Sequence, residues 1–128
     1  MSYPNDLKYT KEHEWIKLEG NTATIGITSY AIEQLGDVVH LDLPKVGSKF
    51  KANDTFGTVE STKTVSDLFM PISGSVTDIN SDLVAAPENI TEDPHGKCWL
   101  VKISLDGAPG SLLSAAEYEK YIADDSHH

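Results

Sequence analysis

The sequence predicts a mainly β protein, a flattened barrel or sandwich of two small antiparallel sheets, with short helices at about residues 29–35 and 114–122. Short runs rich in alternating apolar or β-branched residues follow one another between Gly, Pro, Asn and Asp turn signals. An internal repeat also aligns one strand-turn-strand unit with another. Because one such unit is too thin to bury a face alone, we expect the two copies to pack together.

The repeat relates positions that are 27 residues apart. It aligns Val38, Leu41, Leu43, Pro44, Gly47 and Ser48 with Val65, Leu68, Met70, Pro71, Gly74 and Ser75. A chance match between two common Pro-x-x-Gly turns is the alternative, but the apolar positions match as well as the turn residues, which favours duplication. In this register Lys63 aligns with Gly36, the residue before a strand, so we expect Lys63 at the boundary of an element.

The first third of the chain predicts a hairpin and a helix. Residues 1–6 are polar and carry Pro4, which indicates a loose lead-in. A short edge strand is expected at 7–9, and two strands at 15–18 and 22–28 flank a turn. Ser29 can cap a helix over 30–35, and Gly36 stands where a helix-ending glycine belongs.

The rest of the chain alternates strands with turns. Strands are expected at 37–43, 48–51, on both sides of Lys63, and at 75–79 and 99–105. Asn80 or Ser81 can cap a short helix that Pro87 prevents from continuing, and 88–96 is expected to be a loop. Residues 106–110 read as a linker. A capping box at 114–117 starts the last helix, through about 122, and His127 and His128 indicate a frayed tail or a tag remnant.

Composition restricts the function classes. The length of 128 residues predicts a single domain, with a core over 7–105 and then the C-terminal helix. The net charge is −10, and all ten basic side chains are lysines, which argues against nucleic-acid and anionic-membrane partners. An acidic surface instead suits docking to basic patches on larger proteins. The single cysteine, Cys98, excludes an intramolecular disulfide.

The sequence contains no recognisable catalytic constellation. No Gly-rich phosphate loop, metal-ligand spacing or nucleophile elbow is present. Cys98 has no activating neighbour and is expected to be a buried, inert thiol. His13 and Glu14 are adjacent, and neighbours on a strand face opposite ways, so they do not suggest an acid–base pair. We therefore expect a protein that is not an enzyme.

Lys63 is the residue around which the chain is organised. It lies between threonines in the middle of two β-prone arms, and no acid is directly beside it. A long flexible stem that ends in a primary amine is a good attachment point for a covalent modification. From these residues alone, an ordinary solvated surface lysine remains the alternative.

The sequence around Lys63 resembles the H proteins of the glycine cleavage system. The hairpin 57–63 (Gly-Thr-Val-Glu-Ser-Thr-Lys), followed by Ser66-Asp67 and the Pro71-x-Ser-Gly74 turn, carries the resemblance. Further matches are His13-Glu14-Trp15, the run 23–28, Gln34-Leu-Gly-Asp-Val38, Gly96-x-x-Trp99 and the Leu-Leu-Ser-Ala at 112–115. The matches extend over about residues 7–122, and their combination is far more specific than any one of them.

The resemblance implies a lipoyl carrier with a barrel-sandwich hybrid fold. In that family the lysine that matches Lys63 holds lipoic acid in amide linkage. The arm accepts an aminomethyl group at a PLP-dependent glycine decarboxylase and delivers it to a tetrahydrofolate-dependent aminomethyltransferase. A dihydrolipoamide dehydrogenase then reoxidises it. A lipoate ligase or octanoyltransferase is the further implied partner, and we expect a monomer in the bacterial cytoplasm, or in the mitochondrial matrix if a transit peptide was removed.

The resemblance also implies roles for four other residues. Glu60 and Ser61 would mark the tip that the lipoylating enzyme recognises, and Glu14 and Asp67 would contact the loaded, cationic arm. Taken alone, each of these acids would be interpreted as solvated surface. Two departures stand out: Gln34 replaces a histidine of many relatives, and Cys98 replaces a smaller residue.

Other functions remain open on the sequence. A carrier of the same fold could serve another lipoate-dependent system, or donate lipoate to one. A biotin carrier is disfavoured because such proteins resemble Met-Lys-Met at the lysine, whereas this chain has Thr62-Lys63-Thr64. An unmodified protein-binding module is the alternative from another class.

Overall fold

The computed structural model describes residues 3–106 and 112–125, and within them nine strands form two antiparallel sheets. The strands are Lys8–Tyr9 (β1), Glu14–Glu19 (β2), Thr22–Ile27 (β3), Val38–Asp42 (β4), Lys49–Phe50 (β5), Thr55–Ser61 (β6), Val65–Phe69 (β7), Gly74–Ile79 (β8) and Val101–Leu105 (β9). One sheet has six strands in the order β1-β2-β3-β9-β8-β5, and the other has three in the order β4-β6-β7. This confirms the predicted mainly β fold.

Four helical segments accompany the sheets in the described part of the chain. They are Ser29–Leu35 (α1), Ser81–Ala85 (α2), the 3₁₀ helix Pro87–Thr91, and Ala115–Asp125 (α3). The capping box at the start of α3 is present: Ser114 N–H donates to Glu117 Oε1 at 2.9 Å, and Glu117 N–H donates to Ser114 Oγ at 3.2 Å. Asn80 caps α2 by accepting a hydrogen bond from Leu83 N–H.

The internal repeat has a structural counterpart. β4 and β7, which the repeat aligns, lie on either side of β6, and the aligned β5 and β8 pair with each other. Lys49 pairs with Ser75. In the repeat, Lys49 corresponds to Val76 and Ser75 corresponds to Ser48, so symmetry would require Val76 and Ser48 to pair as well. Val76 N–H donates to Ser48 O at 2.8 Å, so the mapped pair is also bonded. The register of this ladder is therefore compatible with pseudo-twofold symmetry between the copies.

The main core lies between the sheets because alternate residues of their strands face inward. In the six-stranded sheet, Ile16 and Ile25 are cross-strand partners and Ala23 pairs with Ile103. All four side chains are buried. Burying one such isoleucine contributes about 1.5–3 kcal/mol to folding, so these pairs fix which face of each strand points inward.

A second, aromatic cluster holds the C-terminal helix against β1 and β2. Tyr118 on α3 stacks on Tyr9 with ring centroids 4.9 Å apart and meets Tyr3 edge-on at 5.2 Å. Trp15 lies beside its cross-strand partner Gly26, where a Cβ atom would collide with the indole ring. The Trp15 Nε1–H group donates to Pro94 O at 2.7 Å. α3 is therefore part of a buried cluster and not a peripheral addition to the sheets.

Several predicted boundaries were wrong for local reasons. Thr28, not Ser29, caps α1, since its side chain accepts from Ala31 N–H. Part of the predicted loop at 88–96 is the 3₁₀ helix, which starts at Pro87 because its missing N–H costs nothing at a helix start. The last strand begins at Val101 rather than at residue 99, and α3 extends to Asp125.

The loose lead-in predicted for residues 1–6 was wrong at Tyr3. Its ring is buried, and its N–H donates to Glu119 Oε2 at 3.2 Å. Most of the predicted linker at 106–110 and the terminal His127–His128 pair lie outside the described residues. Among the helices of the described ranges, none has the length and apolar character needed to cross a membrane.

Candidate functional site

Lys63 is exposed in a four-residue turn between β6 and β7, which we call the Lys63 turn (residues 61–64). Ser61 organises it. The Ser61 Oγ atom accepts from the N–H groups of Lys63 and Thr64, both at 3.1 Å, and Ser61 N–H donates to Thr64 O at 2.8 Å. A serine hydroxyl that satisfies two turn N–H groups fixes the backbone locally. The predicted hairpin tip is therefore confirmed, with the lysine at its third position.

The Lys63 turn is anchored to the start of β4. Thr62 N–H donates to Asp37 O at 3.0 Å. The Lys63 stem passes close to Gly36, where an added Cβ atom would lie 3.3 Å from Cε and 3.6 Å from Nζ. Gly36 adopts φ 86° and ψ −138°, a conformation that side-chain-bearing residues rarely adopt. The glycine thus ends α1 and leaves room for the lysine stem.

A cleft of about 460 Å³ opens beside the Lys63 turn, since Thr64 is part of its lining. Its apolar lining includes Ile27, Val59 and Leu68. Its polar lining includes Gln34 from α1, Glu12 and His13 from the loop before β2, and Ser66 and Asp67 from β7. A cavity of this size with an apolar lining and a few polar groups is typical of a small-molecule site.

Glu14 is buried, not a solvated surface acid as its sequence context suggested. Only 2% of the residue is exposed. Its Oε2 accepts from Phe69 N–H at 2.8 Å and its Oε1 accepts from the Thr10 hydroxyl at 3.1 Å. Phe69 belongs to the edge strand β7, so Glu14 satisfies an edge N–H group. Desolvation raises the pKa of Glu14 from 4.5 to about 8, against the lowering effect of these hydrogen bonds.

The predicted site residues are only partly brought together. Asp67 is exposed and lines the cleft. Glu14 faces a neighbouring cavity that shares Glu12 and Phe69 with the cleft. Glu60 is exposed on the opposite face of the small sheet, where it pairs with His40 and Val65. Ser61 is buried, with its hydroxyl inside the turn.

Sequence reasoning named Glu14 but missed the long-range contacts that hold the other side of the cleft. His13 lines the cleft there, whereas Glu14, Thr28 and Tyr118 are buried and do not line it. We call His13, Glu14, Thr28 and Tyr118 the His13 wall. His13 Nδ1 lies 2.9 Å from the Tyr118 hydroxyl, which lies 2.7 Å from Thr28 Oγ1. These contacts join residues 105 and 90 positions apart, so no local pattern could reveal them. On the lysine side of the cleft, the sequence did give a signal for Gly36, because the repeat aligns Gly36 with Lys63.

Cys98 lies outside this cleft. Cys98 is buried, its thiol donates to Asn89 O at 3.1 Å, and burial raises the thiol pKa. It lines a separate cavity with Asn80, Leu83 and Trp99. Within residues 3–106 and 112–125, no group of three or more His, Cys, Asp or Glu side chains could hold a metal ion.

Comparison with known proteins gives a consistent result. The family model described as glycine cleavage H-protein matches residues 7–125. The chain is 52% identical over 124 residues to the glycine cleavage system H protein of Herpetosiphon aurantiacus, covering 97% of this chain and 96% of that protein. It is 49% identical over 126 residues to the protein of the same name from Staphylococcus haemolyticus, covering 97% of this chain and 100% of that one.

A solved structure agrees with these sequence relatives. The crystal structure of a glycine cleavage system H protein from Mycobacterium marinum superposes with a TM-score of 0.87 at 41% identity. The superposition covers 97% of this chain and 99% of that chain. Fold, length and sequence therefore agree along the whole alignment, and the chain belongs to the glycine cleavage H-protein family.

Proposed function

We propose that this chain is the lipoyl carrier of the glycine cleavage system, a single non-catalytic domain over residues 1–128. Lipoic acid is held in amide linkage by Lys63 Nζ. The observation that carries the proposal is the position of Lys63: exposed in a hydrogen-bonded turn, beside a cleft, in a chain of this family. The bacterial relatives support the bacterial cytoplasm as its compartment.

The residues present fit a lipoyl arm. The amine of Lys63 is accessible for acylation, which removes its charge. The neighbouring cleft has an apolar lining for a hydrocarbon chain, including Ile27 and Leu68. Thr64 lines this cleft, so an arm attached at the preceding residue would start beside it. When bound, the lipoyl group supplies the disulfide that accepts the aminomethyl group of glycine and is afterwards reoxidised.

Asp67 and Glu14 have different parts in this proposal. Asp67, exposed in the cleft lining, offers a negative charge to the cationic amine of the loaded arm. Glu14 is buried, and its carboxyl group already accepts two hydrogen bonds. A cation brought near Glu14 would favour its ionised form, because the opposite charge lowers the raised pKa. Glu14 would then be the second carboxylate for the cargo, at the neighbouring cavity that shares Glu12 and Phe69 with the cleft, and Phe69 N–H orients it.

Glu60 and Ser61 serve recognition by the lipoylating enzyme in different ways. Glu60 is exposed on the outer face of the small sheet, so an enzyme that approaches Lys63 can contact it directly. Ser61 is 6% exposed and acts through the turn geometry that it holds. In this proposal a lipoate ligase or octanoyltransferase contacts the Glu60 carboxylate directly and recognises the turn conformation that Ser61 stabilises.

The protein is a component that other enzymes bind in turn. The partners in the proposal are the PLP-dependent glycine decarboxylase, the tetrahydrofolate-dependent aminomethyltransferase and dihydrolipoamide dehydrogenase. The net charge of −10 suits docking to basic patches around their active-site entrances. Their affinity for this chain should fall as salt concentration rises, since exposed charges are screened.

Reconstitution with the purified decarboxylase tests the proposal. Glycine-dependent release of CO₂ is measured with the lipoylated chain, with the unmodified chain and without either. We expect release only with the lipoylated chain. Equal release with the unmodified chain would contradict the carrier role, and release only from a 2-oxoacid dehydrogenase partner would identify a carrier of another system.

A further inference from the structure

The outer face of the small sheet, on the side away from the core, carries two exposed valines beside the Lys63 turn. Val65 is 60% exposed and Val39 is 50% exposed. Within the described part of the chain, Val46 is the one other large apolar side chain with comparable exposure, and it lies between β4 and β5. Isolated exposed valines are ordinary, whereas two on one face beside an accessible amine form a patch.

Strand pairing places these valines on either side of Glu60. Glu60 pairs with Val65 on β7 and with His40 on β4, and directly paired residues point to the same face of a sheet. Val39 precedes His40 and is also exposed. Since neighbouring strands lie about 4.8 Å apart, the two valines are separated by about 10 Å, with Glu60 between them.

A bulge in β4 exposes Val39. The ladder skips this residue, because its neighbours Val38 and His40 pair with consecutive residues of β6. Val38 and Leu41 are both buried, whereas the two residues between them are both exposed. Strict alternation along a strand would turn one of those two inward. The bulge therefore lets β4 contribute two residues to the core and still present Val39 and His40 on the surface.

The small sheet is acidic as well. The ionisable side chains on its three strands are all exposed, and they are His40, Asp42, Glu60 and Asp67. No lysine lies on these strands. A second copy of this chain would bring like charges together, which disfavours self-association through this face. The complementary partner is a basic surface with an apolar centre.

Proximity to Lys63 decides which partner this face suits. The Glu60–Val65 pair is the last rung of the β6–β7 ladder before the Lys63 turn. An acylating enzyme must bring the acyl carbon to Nζ, so its surface has to cover the turn and the residues next to it. The neutral amine attacks that carbon, the amide bond forms, the activating group leaves and Nζ gives up one proton. The glycine cleavage enzymes act instead at the far end of the attached arm and need not contact this face.

We propose that the enzyme that lipoylates Lys63 docks on this outer face, with Val39 and Val65 as apolar anchors on either side of Glu60. The inference rests on the proposed function and adds two contact residues to it. It also divides the small sheet between two tasks. The outer face receives the modifying enzyme, and the cleft beside the other face receives the loaded arm.

Steady-state lipoylation of the unmodified chain by a lipoate ligase tests the docking surface. Threonine keeps the β-branched shape and strand preference of valine but replaces one methyl with a hydroxyl group. In the double variant Val39→Thr/Val65→Thr, kcat/KM should fall about five- to thirtyfold, mainly through KM, because two anchors lose apolar contact. Val46→Thr, similarly exposed but beyond the other end of β4, is the matched control and should keep the wild-type value.

Wild-type kcat/KM in the double variant, or an equal loss in Val46→Thr, would overturn the proposal. Once lipoylated to completion with excess ligase, the double variant should support wild-type release of CO₂ from glycine by the decarboxylase. A loss of release as large as the loss of lipoylation would assign the face to the decarboxylase and overturn the choice of partner.

Sedimentation of the unmodified chain should show a monomer, and a dimer that the double variant dissociates would assign the face to a second copy instead. Failure of the ligase to modify the wild type would refute the proposed function and this inference with it. A normally lipoylated wild type with an unaffected double variant would refute this inference alone.

Discussion

Thr64 of the Lys63 turn and His13 of the His13 wall line one cleft, but the turn and the wall are built in opposite ways. In the turn, Ser61 bonds residues two and three positions away, and the lysine is exposed. In the wall, Glu14 reaches Phe69 and His13 reaches Tyr118, across 55 and 105 positions, and the groups that hold the wall are buried.

This difference separates two physical tasks. The turn presents an amine to several enzymes, so it needs exposure and a locally fixed shape. The wall holds a mobile arm, so it needs oriented polar groups away from bulk water, where hydrogen bonds are stronger. Changes in the turn should therefore affect modification, and changes in the wall should affect stability and the reactivity of the arm.

The largest effect is expected from Lys63→Arg. Glycine-dependent CO₂ release with the decarboxylase should fall to background after treatment with a lipoate ligase. A guanidinium remains protonated at all accessible pH values and is a poor acceptor for an acyl group. Lys45→Arg, an exposed lysine in the first repeat, is the matched control and should keep full activity.

Glu14→Gln should change the pH dependence of stability. In the wild type, the unfolded state ionises near 4.5 while the folded state keeps its proton up to about 8. Stability should therefore fall with rising pH in that window, by up to about 1.4 kcal/mol per pH unit. The variant should lose this slope and be the more stable protein at the upper end of the window, although near the lower end the two should be similar.

Urea unfolding at several pH values measures this difference, with Glu19→Gln as the exposed control on the same strand. If the stability of wild type and Glu14→Gln varied with pH in parallel, burial would not raise the pKa of the Glu14 carboxyl group. The contrast between a wall of desolvated polar groups and an exposed turn would then be contradicted for Glu14.

Gly36→Ala should destabilise the fold by about 1–3 kcal/mol, because φ 86° strains a residue with a side chain. Its Cβ would also press on the Lys63 stem, so lipoylation should slow. Gly47→Ala shares the strain, at φ 96°, but nothing lies within 4 Å of its Cβ position. Both variants should lose stability, whereas only Gly36→Ala should slow the ligase. Equal ligase rates would show that the stem does not depend on Gly36.

Ser61→Ala should have the smallest effect on stability, about 0.5–1.5 kcal/mol, the net contribution of a typical hydrogen bond. The N–H groups that lose their acceptor belong to Lys63 and Thr64, which are exposed. Thermal unfolding measures it against Thr62→Ala, whose side chain makes no hydrogen bond within the described part of the chain. A larger loss in Thr62→Ala than in Ser61→Ala would contradict the assignment of Ser61 as the organiser of the turn.

The sequence predicted what is local and missed what is distant. The strands follow from short patterns of apolar, β-branched and turn residues. The repeat, which aligns Lys63 with Gly36, predicted Lys63 at the boundary of an element. The burial of Glu14 depends on Phe69, and the role of α3 depends on Tyr118 reaching Thr28. Such partners are selected by packing of the whole fold, so the local acidic context of Glu14 suggested a solvated side chain.

The most direct test is the mass of the protein after reaction with a lipoate ligase, followed by peptide mapping across all ten lysines. The account predicts one lipoyl group for each chain, found only on the peptide that contains Lys63, and none on Lys63→Arg. A lipoyl group on any other lysine, or none while a known lipoyl domain in the same reaction is modified, would contradict it.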